Sequence, residues 1–130
     1  MRRRSFDLEN HPHGVPIPAV SIIDRLVVSG GLSGRDPKDG SLPEGLEDQC
    51  RLMFVNVRRA IEGAGGTPDD IIKMTVWMKD RAGRAAVNKE WVAMFPDEHS
   101  RPARHTLSYD GLAPGVLVQC DLMALLPEGK

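Results

Sequence analysis

The chain has 130 residues, which is enough for one domain with a substantial core and too few for two. Its 17 basic and 18 acidic residues are interspersed and give a formal net charge of −1, which argues against a nucleic-acid partner. No stretch is apolar enough to span a membrane, and the basic run Arg2 to Arg4 is not followed by the apolar segment of a secretory signal, so we expect a cytoplasmic protein.

The first residues carry little pattern. Residues 1–14 lack hydrophobic periodicity and contain a proline and a glycine, which predicts a loose N-terminal arm ahead of a single domain over residues 15–130. His11 and His13 lie in this arm, but two histidines without a matching Cys, Asp or Glu cluster are far more often solvated than metal-bound. No metal site is predicted.

Two short strands follow, joined by a turn at Asp24 and Arg25. The second strand ends at Gly30 and Gly31. Glycines at such a position either let a ligand approach the main chain closely or simply bend an edge strand, and both interpretations stay open. Residues 33–45 then form a surface connection rich in turn residues.

Apolar residues at spacings of three and four predict two helices. The first runs from Leu46 to Ala64 and is ended by Gly65 and Gly66. The second runs from Arg81 to Phe95 and places Trp91 inward, where an aromatic residue is more typical of a core than of a cofactor site.

The strand between the helices, Ile71 to Lys79, has two different faces. The face that suits the helix-covered side consists of Ile72, Met74, Val76 and Met78. The order strand, strand, helix, strand, helix, strand, strand predicts an α+β fold, with both helices packed on one side of the sheet. The other side would expose apolar residues beside polar ones, which predicts a homo-oligomer. These apolar residues are Trp77, Leu117, Met123 and Leu125.

The last two predicted strands, residues 101–109 and 116–126, contain the candidate functional side chains. The short link between them contains two glycines and a proline, which predicts an antiparallel hairpin. Strand parity then puts a guanidinium, a hydroxyl, an amide and a carboxylate on one face: Arg104, Thr106, Gln119 and Asp121. That face can hold a small anion, and we expect it at the rim of a subunit interface, where clefts are frequent.

Six segments carry a family resemblance: VVSGG, DPKDGSLP, NVRRAIEGAGG, DIIKMTVWMKD, VNKEW and RPAR. With them, nearly all of the chain after the arm resembles the RidA/YjgF proteins, which are also described as L-PSP endoribonucleases or translation inhibitors. The resemblance implies a chorismate-mutase-like fold, a homotrimer and ligand clefts between subunits. It also implies hydrolysis of small 2-imino or enamine carboxylates to a keto acid and ammonia, without a metal or cofactor.

The resemblance also implies roles for individual residues. Arg104 would clamp the substrate carboxylate, and the backbone at Gly30 and Gly31 would line the same cleft. Thr106 stands two residues after the arginine, where the family has a cysteine. Carboxylate binding survives this replacement better than catalysis does.

A second departure from the family concerns the water that attacks the substrate. The glutamate thought to help activate this water aligns with Gln119. An amide cannot accept a proton, so the general base is missing from this position. Asp121 follows on the same face of the strand and is the candidate substitute.

Three functions are consistent with these residues. The first is a metal-free deaminase acting on a small imino or enamine carboxylate. The second is a non-catalytic protein that binds a carboxylate metabolite, which Gln119 and Thr106 favour. The third is an endoribonuclease, suggested only by a description that the family carries, and the near-neutral charge and single tyrosine argue against it.

Overall fold

A computed structural model describes residues 2–129, so Met1 and Lys130 lie outside the described part of the chain. Within that part, seven strands form one mixed sheet, accompanied by two helices. In chain order the elements are β1 (Arg3–Phe6), β2 (Val20–Ile23), β3 (Leu26–Ser29), β4 (Leu32–Ser33), α1 (Leu46–Gly63), β5 (Ile71–Met78), α2 (Arg84–Met94), β6 (Ala103–Ser108) and β7 (Val118–Leu125). The predicted α+β class is confirmed.

The strands lie in the order β1-β2-β3-β7-β5-β6, and β4 pairs with β7 beside this path. Neighbours are antiparallel except β5 and β6, which are parallel. The parallel pair follows from the order of elements, because α2 returns the chain across the sheet before β6 begins.

The hairpin predicted between the last two strands is wrong, since β5 lies between β6 and β7. The linking residues 109–117 do contain turns, but they carry the chain past the end of β5. Turn residues show that a chain bends, and they do not show which strand it joins afterwards.

The core lies between the sheet and the helices. Its fully buried side chains from α1 and β5 are Cys50, Met53, Val57, Ile61, Met74, Val76 and Met78. Burying a Met, Val or Ile side chain of this kind contributes roughly 1.5–3 kcal/mol. The predicted bounds of α1 are confirmed to within a residue, while α2 begins at Arg84, after a 3₁₀ turn over Arg81–Gly83.

One irregularity interrupts β5. The register against β7 shifts between Ile71 and Lys73, so Ile71 is buried while Ile72 is 60% exposed. The placement of Ile72 on the helix side is therefore wrong, because one extra residue reverses the parity of the strand at that point. From Met74 to Met78 the predicted alternation is confirmed.

The N-terminal segment is attached to the sheet. Strand β1 pairs with β2 along its whole length, and Leu8 and His11 beyond it are buried. The prediction of a loose arm over residues 1–14 is wrong for this part of the segment. Backbone pairing along a free sheet edge needs no hydrophobic alternation in the added strand, so the sequence pattern did not reveal it.

The helices cover one face of the sheet, and the other is called the open face. The register places on it Leu26, Val28, Thr75, Trp77, His105, Leu107, Gln119, Asp121, Met123 and Leu125. Five of its apolar side chains are 37–50% exposed: Leu26, Val28, Leu107, Met123 and Leu125. In the described part of the chain, neither helix has the length and apolar composition that crossing a membrane requires.

Candidate functional site

Arg104 lies on the edge strand β6, on the helix-covered side of the sheet. Its Cα partner on β5 is the buried Met74. One guanidinium nitrogen, Nη2, donates to Oδ1 of Asn88 at 2.6 Å, and the guanidinium carbon lies 4.8 Å from the ring centre of Trp91. Helix α2 therefore supplies both contacts, and they fix the plane of the guanidinium.

The second terminal nitrogen of Arg104, Nη1, is buried and lacks a hydrogen-bond partner among the described residues. Burial lowers the pKa of Arg104, yet an arginine stays protonated in proteins. A buried charged donor without a partner is costly, and its fork-like geometry suits an anion with two oxygens.

Thr106 lies two residues after Arg104, on the same face of β6, opposite Val76 of β5. Its side chain is half-buried. We call the group Asn88, Trp91, Arg104 and Thr106 the arginine half-site.

Gly30 and Gly31 lie between β3 and β4, and Gly31 packs against Gln119 of β7. The N–H of Gly30 donates to the carbonyl of Ala19 at 2.8 Å. A Cβ at Gly31 would collide with Nε2 of Gln119 and come within 2.7 Å of its Cδ, so the amide occupies the space above the glycine. We call Gly30, Gly31 and Gln119 the glycine half-site.

Asp121 has a partner within the chain. Its Oδ2 accepts a hydrogen bond from Nε1 of Trp77 at 3.2 Å, and the ring of Trp77 makes an edge contact with Tyr109 at 5.8 Å between centroids. Asp121 thus lies on the open face on the same strand as Gln119, with one oxygen already engaged.

Arg104 and Gln119 lie on opposite faces of the sheet. Met74, the partner of Arg104, faces the helices, whereas Trp77, the partner of Gln119, belongs to the open face. The single-face cluster predicted for Arg104, Gln119 and Asp121 is therefore wrong within one chain, because it depended on a hairpin that does not form.

Sequence reasoning did not assign Asn88 to the site and treated Trp91 as core. Trp91 is indeed buried, but its ring also carries the Arg104 guanidinium. The spacing of three residues puts Asn88 and Trp91 side by side on α2, which was a usable signal once Arg104 was known to lie next to that helix.

The histidines of the N-terminal segment have partners within the protein. Nε2 of His11 accepts from the N–H of Ser33 at 3.0 Å, and Nε2 of His13 lies 3.3 Å from Oδ1 of Asp7. Across residues 2–129, no group of three or more His, Cys, Asp or Glu side chains is arranged to hold a metal ion.

The family model described as Endoribonuclease L-PSP matches residues 16–126. The chain belongs to this family, the RidA/YjgF proteins. The 2-iminobutanoate/2-iminopropanoate deaminase of Salmonella typhimurium is 32% identical over 125 residues, covering 94% of this chain and 97% of the relative.

Structures of RidA/YjgF proteins share the fold. The YjgF gene product of E. coli superposes with a TM-score of 0.84 at 27% identity, covering 94% of this chain and 98% of that one. RidA from a Psychrobacter species superposes with a TM-score of 0.84 at 24% identity, covering 95% of this chain and 100% of that one. Imine deamination is thus a function found in the RidA/YjgF family, and the architecture is the family's own.

Proposed function

We propose that this protein is a deaminase that hydrolyses a small 2-imino or enamine carboxylate to a 2-keto acid and ammonia, without a metal or cofactor. The observation that carries the proposal is the unpartnered Nη1 of Arg104, whose guanidinium is held over Trp91 and bonded through Nη2 to Asn88. The name of the Salmonella relative supports the reaction class.

The arginine half-site binds the substrate carboxylate. Nη1 of Arg104 and its neighbouring nitrogen present two donors in one plane, and a carboxylate accepts both in a bidentate pair. A charge-assisted bond of this kind contributes about 1.5–3 kcal/mol. Thr106, next to Arg104 on the same face, adds a hydroxyl that can donate to the same carboxylate.

The complete site forms between two copies of the chain. One chain holds Arg104 and Gln119 on opposite faces of the sheet, so they cannot reach one small ligand together. Two copies can, if the open face of one packs beside the arginine half-site of its neighbour. The exposed apolar residues of the open face support such an assembly, and we propose a homotrimer.

The glycine half-site receives the reacting carbon and the water. Water adds to the imine carbon, the carbon–nitrogen bond then breaks, and ammonia leaves as the carbonyl forms. Oε1 of Gln119 can accept a hydrogen bond from the water and orient it, but the amide cannot take its proton. Proton removal then falls to Asp121, to the substrate nitrogen or to solvent, and hydrolysis is slow relative to a site with a carboxylate base.

A second candidate function is binding of a carboxylate metabolite without turnover. It is favoured by Gln119, because the missing base affects catalysis and leaves the Arg104 contact intact. The two functions share the ligand class and differ in whether ammonia appears.

Ammonia release distinguishes the two functions. An amino-acid oxidase generates the imino acid in the assay, and ammonia or keto-acid formation is followed with and without the protein. We expect the wild type to accelerate hydrolysis and Arg104→Ala to abolish the acceleration. If calorimetry shows a 2-keto acid bound to Arg104 while hydrolysis proceeds at the uncatalysed rate, the protein is a binder.

A further inference from the structure

His11 is the buried histidine of the N-terminal segment, and its side chain reaches the strand that continues from the glycine half-site. Only 9% of its surface is exposed. Nε2 accepts a hydrogen bond from the N–H of Ser33 at 3.0 Å, and the Ser33 hydroxyl lies 3.4 Å away. An imidazole nitrogen accepts a hydrogen bond only when the ring is neutral.

Ser33 connects His11 to the candidate site. It lies on β4, two residues beyond Gly31, and its Cα partner on β7 is Gln119. Its carbonyl accepts from Nδ2 of Asn56 at 2.8 Å. Side chains therefore hold both polar groups of the Ser33 backbone, His11 at the N–H and Asn56 at the carbonyl.

The segment that carries His11 is itself fixed. Nη2 of Arg59 on α1 donates to the carbonyl of Glu9 at 2.7 Å. Nδ2 of Asn10 donates to the carbonyls of Pro37 and Lys38, at 2.9 and 3.2 Å. These hydrogen bonds fix the backbone next to His11. A change at the His11 ring is therefore transmitted to Ser33.

The surroundings of His11 on balance oppose its protonation. Burial is the main cause that lowers its pKa, backbone hydrogen bonds act in the other direction, and the positive charges of Arg35 and Arg59 lower it further. On its own segment, His13 pairs with Asp7. The carboxylates of Asp7 and Asp39 line the same surface depression as His11.

We propose that neutral His11 is a positioning residue for the carboxylate site. It holds the Ser33 N–H and thereby the backbone of residues Gly31 to Ser33 beside Gln119, which we call the wall. Protonation of His11 loosens the wall and weakens ligand binding. The link to ligand binding rests on the proposed function. The effect of His11 on the position of the wall does not rest on the proposed function, and it is measured separately.

The wall is tested by a pH titration of the ¹⁵N-labelled protein followed by NMR, from about pH 8 to about pH 5, a range that spans the ordinary histidine pKa of about 6.5. In the wild type, the amides of Gly31 and Ser33 shift together with a midpoint below that ordinary value. In His11→Gln they do not titrate, because Oε1 of glutamine can take the place of Nε2 as acceptor and has no charge to gain.

Ligand binding is tested with pyruvate by calorimetry. The carboxyl of pyruvate and the guanidinium of Arg104 keep their charges throughout this range. We expect the wild type to bind about tenfold more weakly once His11 is protonated, the effect of losing one buried hydrogen bond. His11→Gln keeps a nearly constant affinity, close to that of the wild type at high pH.

His13→Gln is the matched control, since it removes a histidine from the same segment that does not contact Ser33. It should leave the titration of Gly31 and Ser33 unchanged. His11→Ala lacks any acceptor and should bind pyruvate about tenfold more weakly at every pH. If this variant does not fold, His11→Gln still gives the result.

The outcomes separate the two proposals. Amides of Gly31 and Ser33 that stay still with pH, or that titrate equally in His11→Gln, would overturn the role of His11. Pyruvate binding that weakens with acid in His11→Gln as in the wild type would overturn it too. Absence of pyruvate binding at any pH would count against the proposed function, and the amide titration would still decide whether His11 holds the wall.

Discussion

The guanidinium carbon of Arg104 lies 4.8 Å from the ring centre of Trp91, a cation–π contact at the edge of the sheet. Such a contact contributes about 0.5–2 kcal/mol, depending on how far water is excluded. Trp91→Leu keeps an apolar side chain in the core and removes the ring. We expect the variant to bind pyruvate about two- to thirtyfold more weakly by calorimetry. Affinity equal to the wild type would show that Asn88 alone fixes the guanidinium.

Arg104→Ala should weaken pyruvate binding by about 10- to 150-fold, the equivalent of a charge-assisted bond of roughly 1.5–3 kcal/mol. Arg104→Lys should recover only part of the affinity, because an ammonium is a point charge and not a planar fork. Arg58→Ala on the exposed side of α1, where Arg58 pairs with Glu62, is the control and should bind normally. Unchanged affinity in Arg104→Ala would mean that the carboxylate binds elsewhere.

Gln119→Glu should raise ammonia release by about tenfold or more, since it restores a group that can accept the proton of the attacking water. The replacement has the same shape, so the packing over Gly31 is retained. Asp121→Asn should remove the residual activity of the wild type if Asp121 serves as the substitute base. A wild type already as fast as Gln119→Glu, with Asp121→Asn unharmed, would refute this account of the chemistry.

The open face should be covered in solution by other copies of the chain. Light scattering at micromolar concentration is expected to give the mass of a trimer, and Met123→Glu should shift it toward the monomer because a charge would be buried at the contact. Met123 is 44% exposed in the single chain. Val55→Glu on α1, a similarly exposed apolar residue away from this face, is the control. A monomeric wild type would remove the shared site as well.

The two cysteines should not react in the folded protein. Burial, helped by the charges of Glu90 and Glu47, raises the pKa of Cys50 to about 12, and burial also raises the pKa of Cys120. Both thiols are therefore protonated at neutral pH, and the thiolate is the reactive form. A disulfide-exchange reagent should modify neither cysteine in the native state and both after denaturation. Rapid modification of native protein would show that one of them becomes exposed.

The sequence was most informative where a hydrophobic period decides the structure. The apolar spacing that ends at Gly65 located α1, and the turn at Asp24 and Arg25 located the β2–β3 hairpin. Strand β1 was not predicted, because pairing along a sheet edge leaves no apolar alternation in its side chains.

The sequence singled out candidate site residues one by one, but it did not predict their arrangement. Arg104, Gly31 and Gln119 were picked out individually, but their positions relative to one another depend on which strands are neighbours. A non-local pairing such as β5 between β6 and β7 leaves no local mark in the sequence, because each strand keeps the same alternation whichever neighbour it has.

The amide of Gln119 occupies the space that a Cβ at Gly31 would need. Side chains at the two positions therefore compete for one volume, so the size that one position tolerates depends on the residue at the other. A chain with a larger residue at position 31 would need a different rotamer or a shorter residue at 119, so substitutions at the two positions should be compatible only in particular combinations. Under the proposed function, the group that orients the water and the backbone that faces the ligand cannot be altered independently.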